Sequence, residues 1–231
     1  MAVTLGAPLT VGFDLDMTLV DTRPGIKATY DAMAAETGVW IDSDLVVSRL
    51  GPPLAAELAN WFPEDRIDAM ADRYRELYED LAVAACQALP GAREAVAAVR
   101  GHGGRVVVVT GKHGPNARLH LDHVGIAVDA LAGSLWAHKK GTALRAEGAS
   151  VFVGDHLGDI SGARAAGALA VAVATGPFDA EALRAAGADV VLDDLTVFPQ
   201  WLDGCLLDGR LLDGPVGRPV QSERSAERAV N

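Results

Sequence analysis

The chain has 231 residues, and half of them are hydrophobic, so it can bury a packed core and is too apolar to be disordered throughout. Its formal net charge is −11, with no block rich in lysine and arginine. This excludes an extended surface for nucleic acid or anionic lipid, because phosphate contacts need clustered cations, but it leaves room for a small anionic substrate. The two cysteines form no disulfide framework, the first residues lack the pattern of a secretion signal, and no apolar segment approaches the roughly 20 residues that cross a bilayer. We therefore expect a cytoplasmic protein with no membrane partner.

The order of predicted elements indicates an α/β fold. The apolar run 9–13 predicts a buried strand, and residues 24–85 then form helix after helix without a convincing strand. From residue 90 onward, helices alternate with short apolar strands, which is typical of a parallel sheet covered by helices on both faces. We predict a doubly wound parallel sheet formed by residues 1–23 and 86–204. Residues 24–85 would be an inserted all-helical cap domain, and residues 205–231 a disordered tail.

Two aspartates, Asp14 and Asp16, follow the first strand. Residues two apart in an extended segment point to the same side, and uncompensated buried charge is costly. A cation between the two carboxylates, or a nucleophilic role for one of them, would explain this position. The alternative is that they begin a loop and cap a helix.

Other polar groups follow later strands, where doubly wound sheets bind their ligands. Thr110 and Gly111 follow the strand 106–109 and could donate hydrogen bonds to a phosphate, or form an ordinary turn. Asp155 and Asp159 form a GDxxxD pattern after the strand 151–153. Asp155 can reach a metal, whereas Asp159 can ligate a metal or cap the next helix.

The order DxDxT, helical insertion, strand-Thr-Gly, lysine before a helix and strand-GDxxxD resembles the four motifs of the haloacid dehalogenase superfamily, over residues 10–195. The helical insertion is similar to that of phosphoglycolate phosphatases and β-phosphoglucomutases. The resemblance implies a Rossmann-like core and a Mg²⁺-dependent phosphatase that hydrolyses a small phosphorylated metabolite, such as phosphoglycolate, through an aspartyl-phosphate intermediate.

The resemblance also implies roles for individual residues. Asp14 would be the nucleophile and Asp16 the general acid and base. Mg²⁺ would lie between Asp14, the backbone carbonyl of Asp16 and Asp155, with Asp159 ligating the ion or its waters. The groups implied to hold the phosphate oxygens are Thr110, Gly111 and Lys140. Lys140 is preferred because Leu144, four residues later, resembles the spacing of the family's lysine helix; Lys139 is the alternative.

Several alternatives remain open at this stage. The dehalogenases lack an aspartate at the position of Asp16, which disfavours carbon–halogen cleavage, but a phosphomutase of the β-phosphoglucomutase type and a non-catalytic regulatory protein stay possible. The cap loop 49–53 is expected to face the core, with Arg49 either on a substrate carboxylate or in solvent. His120 and His123 are expected to be a surface pair rather than a metal site. The protein is expected to be a monomer or a homodimer.

Overall fold

The computed structural model describes residues 9–208, and its centre is a parallel sheet. In chain order the strands are β1 (Thr10–Phe13), β2 (Val20–Asp21), β3 (Gln87–Ala88), β4 (Arg105–Val109), β5 (Ala130–Ala132), β6 (Val151–Gly154), β7 (Leu169–Val173) and β8 (Val190–Leu192). Six of them form one sheet in the order β5-β4-β1-β6-β7-β8, with every neighbouring pair parallel. The predicted doubly wound parallel sheet is confirmed.

The helices follow the predicted pattern of one helical block and then alternation with strands. They are α1 (Arg23–Thr37), α2 (Ser43–Ser48), α3 (Leu54–Leu58), α4 (Ile67–Leu81), α5 (Ala92–Gly101), α6 (Gly114–His123), α7 (Lys140–Ala146), α8 (Leu157–Ala166), α9 (Ala180–Ala185) and α10 (Phe198–Leu207). None of those within residues 9–208 is long and apolar enough to cross a membrane.

The strand β1 lies in the middle of the sheet, between β4 and β6. Helix α7 packs closely on it at Gly12, where a Cβ atom would lie 2.6 Å from a methyl carbon of Leu144. Since Lys140 precedes Leu144 by one helical turn, this packing holds the start of α7 over the carboxyl end of β1. The absence of a side chain at Gly12 therefore helps to position the site.

The helices α1 to α4 share a hydrophobic cluster distinct from the two clusters that cover the sheet. Its largest fully buried members include Tyr30, Met33, Leu58 and Tyr78. This cluster accords with a helical cap, whose boundaries at residues 24 and 85 stay a prediction. A two-stranded antiparallel ribbon, β2 with β3, joins the chain where it enters and leaves the insertion. The sequence analysis did not predict this ribbon.

The predicted tail begins too early. Helix α10 continues through Cys205 to Leu207, and the side chain of Cys205 is buried. Residues 205–207 therefore continue the helix, with Cys205 packed in the core and Leu207 exposed. The remainder of the predicted tail, residues 209–231, lies outside the described residues.

Candidate active site

Three carboxylates meet at the carboxyl end of the sheet. Asp14 follows β1 and Asp155 follows the adjacent strand β6, while Asp159 lies in the first turn of α8. One oxygen from each lies within 4.8 Å of the other two, and all three side chains are buried. The predicted meeting of Asp14 and Asp155 is thus present in the structure, and it follows from the adjacency of their two strands.

Lys140 lies between two of these carboxylates. Its ammonium nitrogen is 2.8 Å from Oδ1 of Asp14 and 2.6 Å from Oδ1 of Asp159, and its side chain is only 1% exposed. The neighbouring Lys139 is exposed. The geometry therefore favours Lys140 over Lys139 as the lysine of the site, although its catalytic role stays a prediction.

Further contacts fix the two acidic residues of the GDxxxD pattern. Asp159 accepts a hydrogen bond from the backbone N–H of His156, at 3.1 Å, so it caps α8 as well as contacting the lysine. Asp155 accepts a hydrogen bond from the hydroxyl of Thr18, at 3.0 Å. A Cβ atom at Gly176 would lie 1.8 Å from Oδ2 of Asp155, so the backbone after β7 approaches the carboxylate closely. Both interpretations of Asp159, helix cap and site residue, are compatible with the structure.

Burial controls the protonation of the cluster. It raises the pKa of Asp14 to about 7, although the Lys140 ammonium opposes the shift. Burial and the charges of Asp159 and Asp14 hold the pKa of Asp155 well above its usual range. Burial alone would lower the pKa of Lys140, but the carboxylates beside it outweigh this and raise it. The cluster has more acidic groups than cations and offers only oxygen donors, a set that fits a hard divalent cation such as Mg²⁺.

Asp16 lies beside this cluster with partners of its own. Its Oδ1 accepts a hydrogen bond from Thr22 Oγ1 at 2.6 Å and lies 2.8 Å from the ammonium of Lys112. Burial would raise the pKa of Asp16, but the Lys112 ammonium and these hydrogen bonds hold it below its usual range. The sequence analysis assigned no role to Lys112. Its position directly after Thr110 and Gly111 was the available signal.

Thr110 and Gly111 occupy different positions. Thr110 is fully buried, its hydroxyl oxygen accepts the backbone N–H of Lys112 at 3.2 Å, and it does not line the cavity described next. Gly111 does line that cavity. The predicted contact of Gly111 with a phosphate is compatible with this placement, whereas the Thr110 hydroxyl is turned to its own loop.

A cavity of about 280 Å³ separates the helical insertion from the sheet. The core contributes Asp14, Asp16, Lys112, Lys140 and Asp155 to its lining, and the insertion contributes mainly apolar and aromatic groups. Among these groups are Ile26, Tyr30, Leu50, Tyr74 and Tyr78. The charged groups of the cavity thus lie on its core side, opposite the apolar groups of the insertion.

The cap loop 49–53 faces the core, as predicted. A Cβ atom at Gly51 would lie 2.5 Å from a ring carbon of His156, and that ring is flanked by Trp136 at 4.8 Å between centroids. Arg49 lines the cavity, and its partner there is a carboxylate of the insertion itself. Its guanidinium forms two hydrogen bonds with Glu57, at 2.7 and 3.1 Å.

The expectation of a surface histidine pair is wrong for His120. Its side chain is fully buried, and its Nε2 lies 2.7 Å from the hydroxyl of Tyr78 in α4. Burial is the main cause that lowers the pKa of His120 to about 4. The helical insertion covers this face of α6, which the sequence of α6 alone does not reveal. His123 is exposed, as expected.

Comparison with known proteins identifies the family. Residues 11–164 match the family model of the haloacid dehalogenase-like hydrolases. The chain belongs to the haloacid dehalogenase-like hydrolase family. The hydrolase is 28% identical over 220 residues to a phosphoglycolate phosphatase of Rhodospirillum rubrum, and the alignment covers 84% of this chain and 91% of that protein. It is also 28% identical over 206 residues to a probable phosphatase, IndB, of Dickeya dadantii, covering 80% of this chain and 89% of the relative.

Solved structures share the architecture of this hydrolase. A haloacid dehalogenase-like hydrolase of Streptococcus pneumoniae superposes with a TM-score of 0.74 at 22% identity, covering 86% of this chain and 98% of that one. The family and enzyme class predicted from the four motifs, a hydrolase of the phosphatase type, are confirmed. The roles of the individual site residues stay predictions.

Proposed function

We propose that the protein is a Mg²⁺-dependent phosphatase that hydrolyses a small, phosphoglycolate-like monoester through a phosphorylated aspartate. The observation that carries this proposal is the meeting of Asp14, Asp155 and Lys140 at one end of the sheet, with Asp16 beside them in the same cavity. A nucleophile, a cation site and a proton-transfer group are thus available to one substrate.

Asp14 is the nucleophile in this proposal. One of its oxygens attacks phosphorus, the bond from phosphorus to the ester oxygen breaks, and the phosphoryl group remains on the aspartate. Its Oδ1 lies 2.8 Å from the Lys140 ammonium, which orients the carboxylate and offsets negative charge as phosphate approaches. Gly111, at the cavity wall, offers its backbone N–H to a phosphate oxygen.

Asp16 moves the protons. It donates one to the departing ester oxygen and then takes one from the water that hydrolyses the phosphoaspartate, which releases phosphate and restores Asp14. The first step needs Asp16 protonated and the second needs it ionised, and the ion pair with Lys112 opposes the first form and favours the second. Thr22, which donates to the same carboxylate, fixes its direction.

The residues that would hold Mg²⁺ are Asp14, the backbone carbonyl of Asp16, Asp155 and Asp159. When bound, the ion supplies positive charge that lets a carboxylate and a phosphate approach one another. Thr18 and the close backbone at Gly176 keep Asp155 in place for this task.

Two features support a small substrate. The cavity measures about 280 Å³, close to the lower end of the range of roughly 300–1,000 Å³ for small-molecule pockets, and the cap loop at Gly51 lies against His156 of the core. The relative from Rhodospirillum rubrum bears the name phosphoglycolate phosphatase. Phosphoglycolate is therefore the first substrate to test.

The test measures phosphate release from a panel of phosphorylated metabolites, with Mg²⁺ and with a chelator. We expect turnover only with the metal, and we expect Asp14→Asn to abolish it without changing the circular dichroism spectrum. Asp193→Asn, at an exposed carboxylate, is the matched control and should retain full activity. Near-normal turnover by Asp14→Asn would refute the nucleophile assignment. Conversion of a sugar phosphate into its isomer, without free phosphate, would favour the phosphomutase alternative.

A further inference from the structure

Lys112 places a positive charge next to the proton-transfer group and inside the cavity. Its side chain is 8% exposed, and its ammonium lies 2.8 Å from Asp16 and 4.7 Å from the centre of the Tyr78 ring. An ammonium has three N–H donors. Within residues 9–208, Asp16 is the one carboxylate that forms an ion pair with it. Lys112 can therefore bind a second anion without giving up the first.

The position of Asp16 fixes where that anion would lie. A general acid must come within about 2.6–3.2 Å of the ester oxygen that it protonates. A carboxylate on the carbon that bears this oxygen holds its own oxygens about 3 Å away, because only three bonds of about 1.2–1.5 Å intervene. The Lys112 ammonium, 2.8 Å from Asp16, is within reach of such a carboxylate. Each additional carbon between the ester oxygen and the carboxylate moves the carboxylate further from the Lys112 ammonium.

The other cations of the cavity have carboxylate partners other than Asp16. Arg49 forms its two hydrogen bonds with Glu57, and Arg75 forms an ion pair with Asp72 at 2.6 Å, although the Nε of Arg75 has no partner among the described residues. Lys140 is shared between two carboxylates of the acidic cluster. Lys112 is thus the cation best placed to contact the leaving group rather than the phosphate.

The cavity wall near Lys112 contains a second polar side chain, and one of its atoms has no hydrogen-bond partner among the described residues. Asn116, in the first turn of α6, is 2% exposed and lines the same cavity. Its Oδ1 has no hydrogen-bond partner among the described residues. Buried polar atoms are nearly always paired in folded proteins. This wall is therefore suited to a polar leaving group, in contrast to the aromatic wall that the insertion supplies.

We propose that Lys112 is a specificity-determining residue that binds a carboxylate on the carbon bearing the ester oxygen. The preferred substrates are then the phosphate esters of 2-hydroxy acids. This inference rests on the proposed function, since it uses Asp16 as the group next to the leaving oxygen. The choice of substrate would then depend on Lys112 of the core as well as on the residues of the insertion.

The test compares substrates of matched size on one enzyme. Phosphoglycolate and ethyl phosphate differ only by a carboxylate in place of a methyl group, and 3-phosphooxypropanoate carries its carboxylate one carbon further away. We expect kcat/KM for phosphoglycolate to exceed that for ethyl phosphate by about 10- to 100-fold, the range for a hydrogen bond to a charged group. The value for 3-phosphooxypropanoate should fall between them.

Variants test whether Lys112 causes the preference for phosphoglycolate over ethyl phosphate. Lys112→Met should bring the ratio of the two kcat/KM values near one, whereas Lys112→Arg should retain most of it. Lys139→Met, which removes an exposed charge near the site, is the control and should leave the ratio unchanged. Loss of the Asp16 ion pair also lowers turnover of both substrates, so the ratio, rather than either rate, is the readout.

The outcomes separate the two proposals. If wild-type protein releases phosphate from neither ester nor from any metabolite of the panel, the proposed function fails. If it hydrolyses both esters equally well, the function stands and the inference about Lys112 is overturned, with no variant required. A Lys112→Met protein that loses both activities in equal proportion would also overturn it, as would a loss of preference in Arg49→Met instead.

Discussion

The hydrogen bond between Tyr78 and His120 joins the helical insertion to α6 of the core, and it predicts a specific dependence of stability on pH. His120 is fully buried, and burial together with the Lys112 charge lowers its pKa from 6.5 to about 4, against the opposing charge of Asp16. The folded protein therefore holds His120 neutral. The unfolded chain binds a proton there below its ordinary pKa, so this residue lowers stability as the pH falls from about 6.5 towards 4.

The size of the effect follows from the two pKa values. At pH 5 the unfolded state is favoured by about 2 kcal/mol through this one residue, and below pH 4 the full loss is about 3 kcal/mol. His120→Gln removes the titrating group. It also disturbs the bond to Tyr78, which costs about 1 kcal/mol at every pH. We therefore expect the wild type to be about 1 kcal/mol more stable than the variant at pH 8 and about 1 kcal/mol less stable at pH 5, so that the difference in the free energy of unfolding changes sign.

Urea unfolding of both proteins at several pH values measures this gap, and all other titrating groups cancel in the difference. His123→Gln, at the exposed histidine of the same helix, is the control and should follow the wild type at each pH. A gap that stays constant from pH 8 to pH 5 would show that His120 is not held neutral, and it would refute the reasoning from its burial.

Three further predictions concern the site. Lys140→Met leaves buried carboxylates without their counter-charge, so we expect metal-free protein at pH 8 to lose about 3–5 kcal/mol in urea unfolding. The loss should be smaller at pH 6, below the pKa of about 7 at Asp14; equal stability to wild type would contradict this. Asp155→Asn should remove most of the rise in Tm that Mg²⁺ gives the wild type; an unchanged rise would place the ion elsewhere. Valine in Gly51→Val would meet the ring of His156 and would have to adopt a φ of +141°, so kcat/KM should fall about tenfold or more and the free energy of unfolding should fall by about 1–3 kcal/mol. Wild-type kinetics in that variant would show that the contact is dispensable.

The sequence was sufficient to predict those residues of the site that directly follow strands of the sheet. Asp14 and Asp155 follow neighbouring strands, so the rule that ligands bind at the carboxyl ends of strands brings them together without further information. The choice between Lys139 and Lys140 was harder, because it depends on the residue at which α7 begins. In the structure α7 begins at Lys140, and the packing of Leu144 on Gly12 fixes its rotation.

What the sequence did not predict depends on the insertion. Lys112 and His120 both belong to the core, and each follows local patterns that are typical of exposed polar residues. They are buried because α4 covers them, with Tyr78 in contact with both. The β2–β3 ribbon was missed for another reason: a strand of two residues has no periodicity to detect.

That ribbon has a consequence for how such an enzyme can change. The chain leaves the core through Asp21 and returns through Gln87, and these two residues are paired with each other. If the segment between these two residues is exchanged for another, only this short pairing has to be preserved, and the aspartates proposed to carry the chemistry, which precede and follow the segment, are unchanged. Exchange of the whole helical insertion can therefore adapt the cavity to substrates with other leaving groups. Lys112 is the exception, because a preference anchored there would persist through every such exchange.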